Sequence, residues 1–149
     1  MPNWCYNRVE VYIEDKEELK RWKETVESKE SKFDFNKITP MPEELNTNLQ
    51  DLTEAKSKKL IKKYGADHWY RWRLNNWGCK WSVDGNEVVV NDDKDIDDVD
   101  DHYIEYTFDT AWGPPHEIYL TLREKFPDVS INWFYDEPGM QFAGYLNNE

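Results

Sequence analysis

The sequence is poor in several features that would place it in a specialised class of protein. It contains 2 cysteines, too few to build a disulfide framework. No stretch approaches the ~18 consecutive apolar residues of a membrane span, and the N-terminus lacks the basic and apolar regions of a signal peptide. We therefore expect a cytoplasmic protein with free thiols and no membrane partner.

Positive charge is also scarce. The chain carries 19 basic and 31 acidic side chains, for a net charge of -12. This balance disfavours general binding to DNA or RNA, because such binding neutralises phosphates with Lys and Arg. Residues 56–80 are the exception, with 8 basic side chains and 1 acidic side chain. This basic segment could attract an anion, although lysines on a solvated helix face give the same pattern.

Alternation of apolar and polar residues is the clearest local pattern and predicts half-buried strands. It occurs at residues 5–13, 80–90, 102–109 and 129–135. The second of these strands is interrupted at 84–86, where we expect a bulge or a tight turn. A last apolar piece near the C-terminus, MQFAGYL, indicates a short edge strand.

Apolar residues at spacings of three and four predict helices between these strands. The first helix spans about 16–27. An inserted helical segment of about 36–75 contains a helix that Thr53 would cap and Gly65 would end. A further helix begins with Pro114 and Pro115, since missing amide donors do no harm in a first turn.

The order of these elements, without the insertion, is βαββαβ. Two right-handed crossings of this kind place both helices on one face of an antiparallel sheet. We therefore predict a single α+β domain over residues 1–149, with a ferredoxin-like fold and the strand order 4-1-3-2. A stretch with seven aspartates predicts an acidic, solvated hairpin tip over about 91–101.

Four unusual segments become neighbours in this topology. In the predicted sheet, the starts of strands 1 and 2 lie at the same end as the finishes of strands 3 and 4. PNWCYN and NNWGCKW begin strands 1 and 2, while TAWGPP and YDEPG follow strands 3 and 4. Tryptophans scattered along the chain are therefore expected to form one aromatic cluster.

This cluster has two interpretations. It could close the end of a small domain, with asparagine side chains bonding to loop backbone. It could instead form a ligand pocket with Trp77 and Trp112 as walls, since apolar walls with a few polar groups are typical of ligand sites. The candidate binding residues are Asn3, Trp4, Asn76, Trp77, Lys80, Thr110, Trp112, Tyr135 and Glu137.

Other kinds of site find little support in the sequence. No CxxC or HxxxH spacing accompanies Cys5 and Cys79, so we expect no metal, and the aspartate run lacks the Gly and Glu positions of a calcium loop. Neither a phosphate loop nor a nucleophile elbow occurs, so we expect no cofactor and no catalysis. An RNA-binding sheet is disfavoured because the outward residues of strands 1 and 3 form an acidic face.

A series of short motifs resembles a known family. PNWC.N, F.F....PMP, NWG.KW, TAW.PP, FP, Y.E.G and FAG occur in this order between Pro2 and about Tyr145. Their combination is similar to the YubB-like proteins of plasmids and phages. The resemblance implies a ferredoxin-like domain from a bacterial mobile element, and it implies no reaction. Cys79 stands at the variable position of NWG.KW, which argues against a thiol-based function.

These observations favour a non-enzymatic binding module of phage or plasmid origin. It would act in the cytoplasm of a bacterial host, through the Trp-lined end of the sheet, on an unknown host protein or small ligand. An alternative is an acidic decoy that inhibits a host nucleic-acid-binding or defence protein, since dense negative charge imitates phosphates. A weaker alternative is a binder of a nucleotide-like anion through the basic segment 56–80.

Overall fold

A computed structural model describes residues 3–46, 49–82, 88–92 and 102–147. Within these residues the chain forms a five-stranded antiparallel sheet. The strands are β1 (Trp4–Ile13), β2 (Val89–Asp92), β3 (His102–Ala111), β4 (Ser130–Glu137) and β5 (Phe142–Tyr145). Their spatial order is β2-β3-β1-β4-β5.

The helices flank this sheet and fill the long connection between β1 and β2. They are α1 (Lys16–Val26), α2 (Phe35–Ile38), α3 (Glu54–Tyr64), α4 (Trp69–Asn76) and α5 (His116–Lys125). Two single 3-10 turns, Glu43–Leu45 and Leu49–Asp51, lie between α2 and α3.

Local side chains set several of the helix ends. The Asp15 carboxylate accepts a hydrogen bond from the second amide of α1, and the Thr53 hydroxyl caps α3 in the same way. Such caps satisfy amides that have no partner inside the helix. Gly65 ends α3 in the left-handed conformation, at a φ of 78°, as the sequence predicted.

One face of the sheet packs against the helices and forms the core. The alternation in β1 buries Val9, Val11 and Ile13 on this face. Trp22 from α1 and Leu122 from α5 join them in the same buried cluster. The opposite residues of each strand point away from the helices, because successive strand residues face opposite sides.

The predicted fold class is confirmed. Read from β4, the spatial order is 4-1-3-2, and β5 adds a further strand outside β4. The predicted start of strand 2 near residue 80 is wrong, because β2 begins at Val89. The bulge or tight turn predicted at 84–86 and the aspartate-rich tip after Asp92 lie outside the described residues.

Candidate binding site

Three of the four predicted segments meet at one end of the sheet, which we call the Trp-bearing end after Trp4 and Trp112. Trp4, at the start of β1, pairs with Ala111 at the end of β3. The Trp112 amide donates a hydrogen bond of 2.7 Å to the Asn3 carbonyl oxygen. The end of β4 lies on the other side of β1 in an antiparallel register. The segments around Trp4, Trp112 and the end of β4 are therefore side by side.

The segment NNWGCKW reaches the same end by a route that the sequence did not predict. It ends α4 and then turns, with Gly78 at a left-handed φ of 85°. A Cβ on Gly78 would lie 2.8 Å from the backbone nitrogen of His116, so the turn rests directly on the start of α5. Trp81 then lies beside Trp4, with 6.4 Å between the ring centroids.

Trp77 belongs mainly to the core. It is 2% exposed, and its indole donates a hydrogen bond of 2.9 Å to the Thr39 carbonyl oxygen. Its ring packs edge-on against Phe35 and Trp72. These contacts favour the capping interpretation for Trp77, which closes the domain between α2, α4 and α5.

The two polar candidates beside Trp77 have different surroundings. The Asn76 amide donates a hydrogen bond of 2.9 Å to the Trp72 carbonyl oxygen and so helps to end α4. The Lys80 ammonium lies over two rings, 4.5 Å from the centroid of Trp81 and 5.6 Å from that of Tyr70. Lys80 therefore belongs to the exposed aromatic surface, whereas Asn76 serves the helix.

Thr110 and Trp112 are close in sequence but differ in exposure. Thr110 is buried, and its hydroxyl donates a hydrogen bond to the Gly113 carbonyl oxygen over 2.6 Å. Trp112 is 55% exposed and has a φ of 72°, a conformation that costs a non-glycine residue about 1–2 kcal/mol. The loop thus holds an exposed indole in a strained backbone position.

The Glu137 carboxylate forms its hydrogen bonds within the turn between β4 and β5. Although fully buried, its carboxylate accepts hydrogen bonds from the Gly139 amide (2.7 Å) and the Met140 amide (2.8 Å). The Asn3 side chain packs over the same turn, 2.8 Å from where a Cβ on Gly139 would lie. Tyr135, the remaining candidate, packs against Phe142 of β5.

The sequence analysis did not identify a buried group of hydrogen-bonded side chains next to the Trp-bearing end. The Asn7 amide donates to the Thr110 hydroxyl over 2.9 Å, and its oxygen accepts from the Trp133 indole over 3.0 Å. Asn7 therefore ties β1 to both β3 and β4. The available signal was an asparagine at an inward position of an apolar strand, where an unpaired amide would be costly.

A cleft of about 490 Å³ opens beside the Trp-bearing end. It lies between α2, the following loop and the end of α4. Trp81 and one edge of Trp77 form its aromatic part. Its lining residues are Asn36, Met41, Glu43, Asn46, Arg73, Trp77, Trp81 and Ser82. The volume lies in the range of small-molecule sites, and polar side chains outnumber apolar ones on its wall.

The charged side chains on the wall of this cleft are Arg73 and Glu43, and the sequence analysis singled out neither. Its guanidinium carbon lies 4.8 Å from the ring centroid of Trp69 and 5.1 Å from that of Trp77. Its Nε is buried without a hydrogen-bond partner, and its Nη1 makes one long bond of 3.4 Å to the Lys80 carbonyl oxygen. Burial lowers the pKa of Arg73, but an arginine stays charged at neutral pH.

The described residues offer little for covalent or metal chemistry. No group of three or more His, Cys, Asp and Glu side chains among them is placed to hold a metal ion. Cys5 and Cys79 are buried, and burial raises the pKa of Cys5 to about 11 and that of Cys79 to about 12. In the same part of the chain, no helix is long and apolar enough to cross a bilayer.

The topology defines the class of the protein: an α+β domain of the ferredoxin-like kind, with an additional edge strand. Comparison with family models agrees for the C-terminal part, since residues 90–148 match the model described as a ferredoxin-like domain in Api92-like protein. This stretch contains β3, α5, β4 and β5 with most of β2. Comparisons with curated proteins and with solved structures gave no match.

Proposed function

We propose that the protein is a non-enzymatic binding module whose site is the cleft at the Trp-bearing end of the sheet. The observation that carries this proposal is Arg73, held between two tryptophan rings on the wall of an open cleft. Its donors are largely unused by the protein. An arginine in this state is prepared to bind a carboxylate or a phosphate.

The chemistry of the cleft defines its ligand further. Trp81 is 39% exposed and offers a flat surface for stacking, while the Lys80 ammonium lies over the same ring. Asn36, Asn46 and Ser82 supply groups that form hydrogen bonds. The ligand would be a small molecule that combines a planar ring with an anionic group, and a nucleotide-like anion meets that description.

A thermal-unfolding screen tests the proposal. Nucleoside mono- and diphosphates, aromatic carboxylates and inorganic phosphate would each be added to the purified protein. We expect at least one ring-bearing anion to raise the Tm, because a ligand that binds only the folded state stabilises it. Inorganic phosphate alone should have a weaker effect, since it cannot stack on Trp81.

Matched variants locate the binding. Trp81→Ala and Arg73→Gln should each abolish the shift, whereas Tyr12→Ala, which removes an exposed ring on β1, should leave it unchanged. Loss of the shift in all three variants, or in none of the first two, would contradict the assignment of the cleft. A panel without any effect on the Tm would exclude the ligand class.

We further propose a biological origin and an alternative function from other features of the chain. The motif resemblance to YubB-like proteins supports an origin in a phage or plasmid and action in the cytoplasm of a bacterial host. The acidic decoy depends on an aspartate run of which only Asp92 is described, and that residue forms an ion pair of 2.8 Å with Lys23. Replacing the seven aspartates with asparagine should abolish inhibition of a target if the decoy hypothesis is right.

A further inference from the structure

The sheet face opposite the helices displays aromatic side chains. On β1, β3 and β4 these residues lie on the side away from the buried core, and none of the described helices packs over them. Tyr12 and Tyr103 are cross-strand partners with ring centroids 5.0 Å apart. Phe134 pairs with Tyr145 on β5, with 5.4 Å between their centroids. Tyr12 and Tyr145 are 42% and 59% exposed.

Four carboxylates lie on the same face, near these rings. Glu10 and Glu105 are direct cross-strand partners, one step from the Tyr12–Tyr103 pair on the same face. At the other end of the face, Tyr6 lies between two acidic partners, one on each neighbouring strand. These partners are Asp109 on β3 and Asp136 on β4.

The balance of charge on this open face is negative. Arg8 is the basic side chain on the same face of β1, and its Nε lies 3.0 Å from Glu10. Its guanidinium also lies 5.2 Å from the centre of the Phe134 ring, so its charge is already engaged. Four carboxylates against one arginine leave three negative charges in excess among the described residues of the face.

Glu10 and Glu105 face each other across β1 and β3, and Arg8 compensates the charge of Glu10 alone. Like charges directly opposite each other on neighbouring strands destabilise a sheet. Glu105 accepts a hydrogen bond from the Tyr103 hydroxyl, and partial burial together with both glutamates raises the pKa of Tyr103. A cation placed between Glu10 and Glu105 would remove this repulsion.

The size of the face fits a segment of chain rather than a folded partner. Six residue steps along β1 give about 20 Å, and four strand spacings give about 19 Å. The resulting area of roughly 400 Å² is half of the about 800 Å² that each partner buries in a standard interface. An extended peptide would cover it.

We propose that the open sheet face binds an arginine-rich, extended segment of a partner protein. A guanidinium stacks on aromatic rings and forms paired hydrogen bonds with carboxylates, and the face offers both groups side by side. Nucleic acid is the wrong occupant, because its phosphates would meet the four carboxylates. This surface adjoins the cleft only where Trp81 lies beside Trp4, and its proposed role does not depend on the function proposed for the cleft.

Fluorescence anisotropy with a labelled hexa-arginine peptide tests the proposal at about 150 mM salt, where long-range attraction is screened. We expect saturable binding that the double variant Glu10→Gln and Glu105→Gln weakens about tenfold, because two charge-assisted hydrogen bonds are lost. Hexa-lysine should bind more weakly than hexa-arginine, since ammonium groups stack less well on aromatic rings.

A control with the same change in net charge separates the face from the charge of the whole chain. Glu24→Gln and Glu30→Gln alter exposed positions on and just after α1, and we expect less than about a twofold change in affinity. Equal weakening by both double variants, or equal affinity for the two peptides, would overturn the proposal.

Three further measurements guard against ambiguous results. Amide NMR shifts on addition of hexa-arginine to the wild-type protein should cluster on β1 and β3, and shifts confined to other elements would overturn the proposal. Preferential binding of a single-stranded RNA oligonucleotide would also overturn it. Trp81→Ala should leave peptide binding intact, so that failure of the cleft and failure of this face can be told apart.

Discussion

At the scale of single residues, the Trp-bearing end combines strained and buried groups. Trp112 has a left-handed backbone conformation although it is not glycine, and its neighbour Thr110 is buried and doubly hydrogen-bonded. Strain of this kind persists only where the surrounding structure imposes it. Here the amide of Trp112 is fixed by the Asn3 carbonyl oxygen.

Trp112 offers a direct test of that strain. Trp112→Gly and Trp112→Ala both remove the ring, so their difference reports the backbone alone. We expect the glycine variant to be more stable by about 0.5–1 kcal/mol, because glycine adopts positive φ without steric cost. Urea denaturation of the two variants measures this difference, and an alanine variant of equal or greater stability would contradict the conformation.

The two thiols should be inert in the folded protein. Both are buried, and their pKa values of about 11 and about 12 leave almost no thiolate at neutral pH. We expect iodoacetamide at pH 8 to modify neither Cys5 nor Cys79 until denaturant is added, as read by intact mass. Rapid labelling of either residue without denaturant would show that the burial is wrong.

The same thiols link stability to alkaline pH. Their pKa values are raised from the ordinary 9.0, so the folded state holds protons that the unfolded chain releases. Their contribution is complete below about pH 9 and is lost as the pH rises toward 11 and 12. Cys5→Ala and Cys79→Ala should each flatten the fall in unfolding free energy over this window, and an unchanged slope in both would contradict the account.

At the scale of elements, the cleft depends on how α4 meets α5. The helix ends in the turn at Gly78, which approaches the backbone of His116 too closely for any side chain. That contact carries Trp81 toward Trp4 and leaves the cleft open beside Arg73. The turn therefore positions both aromatic and charged parts of the proposed site.

Gly78→Ala should disrupt this junction. The added Cβ would lie 2.8 Å from backbone, and alanine would also be strained by the positive φ at this position. We therefore expect the free energy of unfolding to fall by about 2–4 kcal/mol. Gly65→Ala is the matched control, because φ is 78° there but nothing lies within 4 Å of the added Cβ. That variant should lose only about 1–2 kcal/mol. Equal losses in urea denaturation would refute close packing of the turn.

The elements that the sequence predicted are those with strong local signals. Alternation in β1, the Thr53 cap and the Gly65 end of α3 all depend on neighbouring residues, and the structure reproduces them. The start of β2 was wrong because the residues after α4 form a turn that packs on α5 and places Trp81 beside Trp4, so tertiary contacts override their strand-like pattern. Arg73 had a local signal that went unused, since Trp69 and Trp77 stand four residues before and after it, but the cleft itself also needs the loop after α2, which spacing along the chain could not reveal.

At the scale of the whole molecule, the two proposed surfaces differ in charge. The cleft pairs Arg73 with exposed tryptophan and would attract an anion, although the chain as a whole carries -12. The open face pairs tyrosines with carboxylates and would attract a cation. Both surfaces follow from the central position of β1 in the sheet. The first residues of β1 belong to the Trp-bearing end, and its outward residues form the middle of the open face.

The central claim is that the cleft beside Arg73 is a binding site, and NMR of the ¹⁵N-labelled protein tests it most directly. The spectrum would follow the tryptophan indole signals and the Arg73 Nε signal while a library of small anionic aromatic fragments is added. We predict that binding fragments shift the signals of Trp77, Trp81 and Arg73. Fragments that bind only elsewhere, or a library without a single binder, would contradict the account.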